Sequence, residues 1–235
     1  MNMTSKMCAS RPDERGNVLF MILLAVVLIG LLTAAVLRTN RPEGANIDKE
    51  ALIIRASEAQ RAASEFERGI LFIVQQNGKS ESTLRFAHPQ AHTDYGDLPG
   101  DTDKSDQLFD KSGGGATYRE APPEVNDGSK WEFFGGTALP EVGSDKADLI
   151  AVLPNVTQAF CTRVNELNGQ TSQQPLDDDD CLNPGASGRF DNGTQFETLS
   201  PNTVDESTFT KKPALQACVK CDDNTYQFYH VLLAR

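Results

Sequence analysis

The feature that most constrains this chain is a run of twenty residues without a charge, Val18 to Leu37. A helix through it would be about 30 Å long, the thickness of a bilayer's hydrocarbon layer. A buried core helix is a poor alternative, because residues apolar on every face need a large protein around them, and 235 residues do not supply one. A cleaved secretory signal is the other competitor. Lys6, Arg11 and Arg15 give it a basic start and Thr33-Ala34-Ala35 give it small residues, but the apolar run exceeds the usual length of roughly 7 to 15 residues. The sequence therefore predicts a single-pass membrane helix. Three basic residues precede it and two, Arg38 and Arg41, follow, which places the N-terminus in the cytoplasm and the bulk of the chain outside.

The rest is long enough to bury one core. The net charge of −11 is carried mostly beyond Arg38, in runs such as Asp177 to Asp180 and the stretch Asp97 to Asp110. Such a domain repels phosphate backbones, which excludes nucleic acid as a partner. Of the five cysteines, Cys8 precedes the apolar run, while Cys161, Cys181, Cys218 and Cys221 follow it. An even set on the oxidising side predicts two disulfides. Three pairings are open; Cys161 with Cys181 and Cys218 with Cys221 has the shortest loops.

Past Arg41-Pro42-Glu43-Gly44, which interrupts the helix, apolar residues recur at helical spacing from Ile47 to Gln76, with Phe66, Ile70 and Ile73 among them, and Asn77-Gly78 as the stop. Short apolar runs then predict strands at Thr83–Phe86, Lys130–Phe134, Asp148–Leu153 and Thr225–Ala234. One further helix is predicted over Asn155–Leu167 with Asn155 as its cap. Loops fill about 88 to 129 and 169 to 216. The fold class expected is α+β: a long N-terminal helix, transmembrane and then amphipathic, followed by a small antiparallel sheet closed by the C-terminal strand. The domains expected are a leader 1–16, a transmembrane helix 17–40, an amphipathic segment 41–78 and a globular part 79–235.

Chemistry-bearing patterns are sparse. Cys218-Val-Lys-Cys221 has the spacing of a redox pair, half a zinc site or a disulfide element, and on the exported side the disulfide reading leads. His88 and His92, with Asp94 nearby, have a metal spacing only on a helix, which Pro89 opposes, so a solvated loop is expected. His230 reads as a packed or surface residue. Asp101, Asp103 and Ser105 imitate the start of a calcium loop, but its sixth place lacks glycine and Ser112 stands where a bidentate glutamate belongs. They are calcium candidates, with Asp177 to Asp180 similarly oxygen-rich; otherwise no cofactor or metal is expected. Gly113-Gly-Gly115 lacks the Lys-Ser/Thr of a phosphate cradle, and no nucleophile elbow occurs. An enzyme is not expected.

Arg15-Gly16-Asn17-Val18-Leu19-Phe20, with a polar basic leader before it and the apolar run after it, resembles the leader and N-terminal helix of type IV pilins and pseudopilins. The resemblance implies cleavage between Gly16 and Asn17 by a prepilin-type peptidase, a pilin-like fold, and other pilin-like subunits and the inner membrane as partners. Some pseudopilins bind calcium in a loop like that at Asp101. Asn17 and Met21 occupy places where that family has phenylalanine and glutamate, so the carboxylate that would pair with a neighbouring subunit's amine is missing. The opening Gly-Asn-Val-Leu-Phe, the stretch Leu153-Pro154-Asn155-Val156 and the ending Tyr229-His230-Val231-Leu232 are similar to a group of pilin-like proteins of alphaproteobacteria. The function implied is a non-enzymatic subunit, minor or at the tip, of an extracytoplasmic filament or secretion assembly. The alternative is a lone, anchored periplasmic binding domain that does not polymerise; a thiol oxidoreductase would rest on the C-x-x-C alone.

Overall fold

The computed structural model describes residues 20–30, 43–171, 173–177, 181–182, 188–191, 193 and 195–235. Residues 20–30 form helix α1. Among the described residues no helix is long and apolar enough to cross a membrane. That corrects the expected transmembrane helix and, with it, the single-pass inner-membrane location. Val18, Leu19 and residues 31–37 of the predicted span, and the cleavage pair Gly16 and Asn17, lie outside the described residues.

The chain divides into two units, Met1–Lys49 and Glu50–Arg235. Helix α2, Glu43–Gln75, supplies the frame of the second. Its buried positions Ala56, Ala59, Ala63, Phe66, Ile70 and Ile73 fall three or four apart and so form one stripe. Gly69 permits a close approach to this helix: a Cβ there would stand 2.6 Å from Leu108 Cδ1 and 3.2 Å from the Gly114 carbonyl. Gly114, the middle of the glycine triplet, is thus a packing contact against α2: a Cβ on it would stand 3.1 Å from Gly69 Cα. The helix ends where Gly78 turns left-handed, at φ +63°, and Asn77 Nδ2 donates to the Ser105 and Ser112 carbonyls, fastening the following loop.

The sheet also departs from expectation. It has six strands: β1 (Glu132–Ala138), β2 (Asp148–Leu153), β3 (Leu176–Asp177), β4 (Asn202–Thr203), β5 (Gln216–Cys221) and β6 (Tyr226–Leu233), in the order β3-β5-β6-β2-β1-β4. The three central pairings are antiparallel, but β3 runs parallel to β5 and β4 parallel to β1. The sheet is therefore mixed, and it curls into a nearly closed barrel: Asp205 N donates to Leu176 O at 3.1 Å, and Asn202 Nδ2 lies 3.4 Å from Asp177 Oδ2, bringing the two edges together. The C-terminal strand is central. Six of its eight residues are buried, and all of β2 is, the mark of strands covered on both faces.

Alternation sorts the strand residues into two cores. Phe133, Leu149, Ala151, Leu153, Cys218 and Phe228 join the α2 stripe. Phe134, Ile150, Val152, Ala217, Val219 and Tyr229 pack on the other face. On the α2 side Phe66 meets Phe109, Trp131 and Phe133 edge-on at 5.4 to 5.9 Å, an arrangement that aromatic quadrupoles favour. Helix α3, Gln158–Asn168, covers part of the same face. Its cap is Thr157, whose hydroxyl accepts from Phe160 N, and Gly169 ends it in the left-handed conformation. Asn155, expected as the cap, instead takes φ +53° and donates to Asp127 and Ser129. The strand expected at Thr83–Phe86 is a 3-10 turn over Glu81–Thr83, followed by a single bridge from Arg85 to Gln107.

Candidate functional site

The cysteines pair as Cys161–Cys218 and Cys181–Cys221, with Cα–Cα distances of 5.2 and 5.4 Å. The shortest-loop pairing is corrected, and β5 is the reason. In a strand, residues three apart point to opposite faces. Cys218 belongs to the α2-side core, where it meets Cys161 of α3, and Cys221 reaches Cys181. For the same reason the C-x-x-C is neither a redox pair nor half of a zinc site: both thiols are bonded, each to a different segment.

Beside the first bridge Asn165, fully buried on α3, donates from Nδ2 to Cys218 O and accepts from Cys218 N, both at 2.8 Å. Strand β3 reaches only Lys220 and Cys221 on that edge of β5. The amide of Asn165 stands in for the missing strand and satisfies a buried donor and a buried acceptor.

A second polar cluster joins residues from three segments. Arg189 pairs with Asp94 and, at 3.1 Å, with Glu132 of β1; His92 Nε2 lies 3.2 Å from Glu132 Oε1 and 3.4 Å from Arg189 Nη2. Burial, and then the guanidinium of Arg189, hold the His92 pKa below its ordinary value. A neutral Nε2 can donate to Glu132 or accept from Arg189, one at a time. Tyr95, whose phenol burial pushes far above the usual range, anchors the same loop to β1 by accepting from Phe133 N at 2.8 Å. The arrangement ties the 92–95 turn and Arg189 onto β1. His88, four residues earlier, goes elsewhere and stacks on Tyr118 at 4.7 Å. His92 and Asp94 lie in a part-exposed loop, as expected, but one fastened to β1 through Glu132 and Arg189, and the two histidines do not form a metal pair. The sequence singles out His92 and Asp94 but not their partners Glu132 and Arg189; the one further signal it offers is Glu132, a charge between Trp131 and Phe133 in a strand.

His230, in β6, is buried: Nε2 lies 2.8 Å from Glu67 Oε2 of α2, and Nδ1 lies 3.1 Å from Gln216 Oε1. The calcium candidates are engaged with protein partners. Asp103 Oδ1 accepts from Ser105 N and Oγ, its Oδ2 takes Lys79 Nζ at 2.9 Å, and Asp101 Oδ2 takes Gln107 Nε2 at 2.8 Å. These hydrogen bonds and Lys79 hold the Asp103 carboxyl well below the usual carboxylate range. Among the described residues no group of three or more His, Cys, Asp or Glu is placed to hold a metal. Asp178, Asp179 and Asp180 lie outside the described residues.

The most unusual surface is α1. Its large apolar side chains, Phe20 to Leu24 and Val26 to Ile29, are between 44% and 66% exposed. A contiguous apolar surface of this kind marks a site of association. No protein-family model matches this chain, nor does any curated protein or solved structure.

Proposed function

We propose that this chain is an exported, non-enzymatic assembly subunit of the pilin-like kind, joined through α1 to copies of itself or to similar subunits. The observation that carries the proposal is the exposure of nine large apolar side chains on α1, since a helix apolar on every face is covered by something in its working state. The two disulfides fit an oxidising, extracytoplasmic compartment. The leader ending at Gly16 supports processing by a prepilin-type peptidase, leaving Asn17 as the first residue. Met21 brings no carboxylate to the helix, so apolar packing holds the subunits together without an ion pair to set their register.

Oxidative cross-linking of a Val26→Cys variant in the producing cell tests this. Ladders of multimers are expected, and a Leu23→Asp change in the same background abolishes them. Exclusively monomeric protein sinks the assembly reading and leaves the second one, a lone binding domain, which the missing carboxylate at Met21 favours. Intact-mass measurement of the purified protein checks processing independently, the expected N-terminus being Asn17.

A further inference from the structure

A pocket of about 420 Å³ opens between α2 and residues 119–123, within the range of small-molecule sites. Ala59 and Ala62 of α2 face Ala121, Pro122 and Pro123 across it, and the small side chains leave the space open. Trp131 lines it from within. This indole is 1% exposed, and its Nε1–H is buried without an acceptor. The rings packed on it, Phe66 and Phe228, have none to offer. A buried donor left without an acceptor is unfavourable, and an acceptor entering the pocket would relieve it.

The polar lining carries both signs. Helix α2 contributes Glu58 and Arg61, one turn apart, and the facing loop contributes Arg119 and Glu120. Among the described residues neither Glu58 nor Arg61 has an ion-pair or hydrogen-bond partner. The loop charges are held only at long range, Arg119 by Glu65 at 3.8 Å and Glu120 by Gln90 at 3.4 Å. A purely anionic ligand would meet two carboxylates, and a purely cationic one two guanidiniums. A ligand carrying both charges on an apolar body satisfies all four.

The geometry points to a binding site for a free apolar α-amino acid. Arg61 and Arg119 take the carboxylate, Glu58 and Glu120 take the ammonium, and the side chain lies against the alanines and prolines. One ligand oxygen accepts from Trp131 Nε1–H.

Trp131 is the sole tryptophan of the chain, so intrinsic fluorescence reads the pocket directly. The oxidised full chain is titrated with leucine, with 4-methylpentanoate, which lacks the ammonium, and with isopentylamine, which lacks the carboxylate. Calorimetry runs in parallel. Leucine is expected to give a saturable change, and each truncated analogue to bind roughly tenfold or more weakly, the loss of a charge-assisted contact. Arg61→Gln, at an exposed and unpartnered position, is expected to weaken leucine by a similar factor with an unchanged melting temperature. Absence of saturable binding by both methods overturns the proposal. So does equal binding of all three compounds, which would make the pocket merely apolar, or undiminished leucine binding by the Arg61 variant.

Discussion

Asn165 illustrates how much one side chain can carry when it replaces a piece of backbone. Its amide makes the two hydrogen bonds with Cys218 that a neighbouring strand would otherwise make, so Asn165→Ala leaves a buried N–H and a buried C=O unmet. The expected loss is about 3 kcal/mol, read by chemical denaturation. Asn168→Ala, whose partners Gln60 and Gln216 are part-exposed, is expected to cost under about 1 kcal/mol. Asp148 gives a test in pH. It is buried, and burial raises its carboxyl from 3.8 to about 6, against the opposing donors Arg235 N and Leu139 N. Between those values the folded state keeps a proton that the unfolded chain has released. The contribution is therefore fully present below about pH 4 and lost as pH rises through 6. Exposed carboxylates held low by their turns, such as Asp127 and Asp223, act in the opposite direction, losing stability as pH falls. The difference in stability between wild type and Asp148→Asn isolates the buried group: it should decline by on the order of 2 kcal/mol from pH 4 to 7. A flat difference would show that Asp148 titrates normally. Neither residue's role is legible in the sequence. Asn165 acts on a strand 53 residues away, and Asp148 begins an apolar run whose first residue would ordinarily meet water.

At the scale of elements, legibility follows length and periodicity. Helix α2 repeats its apolar positions over many turns, and β2 and β6 are runs dominated by apolar, β-branched and aromatic residues, so their types can be read locally. Strands β3 and β4 have two residues each and exist only because β5 and β1 lie beside them. Strand β5 is hidden by its own cysteines: Gln-Ala-Cys-Val-Lys-Cys reads as a motif before it reads as a strand, yet its extended form is what separates the two thiols. The curl of the sheet depends on those short edge strands, which is why a small antiparallel sheet was the nearest local inference. The candidate site was legible to the same degree. His92 and Asp94 stood out as residues, but their partners Glu132 and Arg189 come from distant segments. The α2 stripe permits a direct test of what is most firmly read. Phe66 is fully buried among three aromatic rings, and Phe66→Ala is expected to cost about 3–5 kcal/mol. Ile54→Ala, at a helix position 59% exposed, is expected to stay within about 0.5 kcal/mol. Equal effects at the two positions would mean that α2 is not docked by this face.

For the molecule as a whole, the two bridges clamp β5 to segments before it in the chain, spanning 57 and 40 residues. Loop closure in the unfolded chain makes each worth about 4 kcal/mol, in a domain whose two hydrophobic cores already support the fold. Reduction should therefore lower the melting temperature without abolishing folding. The bridges are not equivalent. Cys161 and Cys218 are fully buried, whereas Cys181 is part-exposed, so the double change Cys161→Ala/Cys218→Ala adds lost packing to lost cross-linking and should be the more damaging pair. The connectivity itself can be decided chemically. Cleavage after Lys and Arg places the four cysteines in four fragments, because Arg163 lies between Cys161 and Cys181 and Lys220 between Cys218 and Cys221. Non-reducing digestion should link the fragment 147–163 to 212–220, and 164–189 to 221–235. Linkage of 147–163 to 164–189 would mean that Cys218 and Cys221 face the same way. That outcome would remove β5 as a strand and, with it, the connection between β3 and β6 on which the barrel-like closure depends.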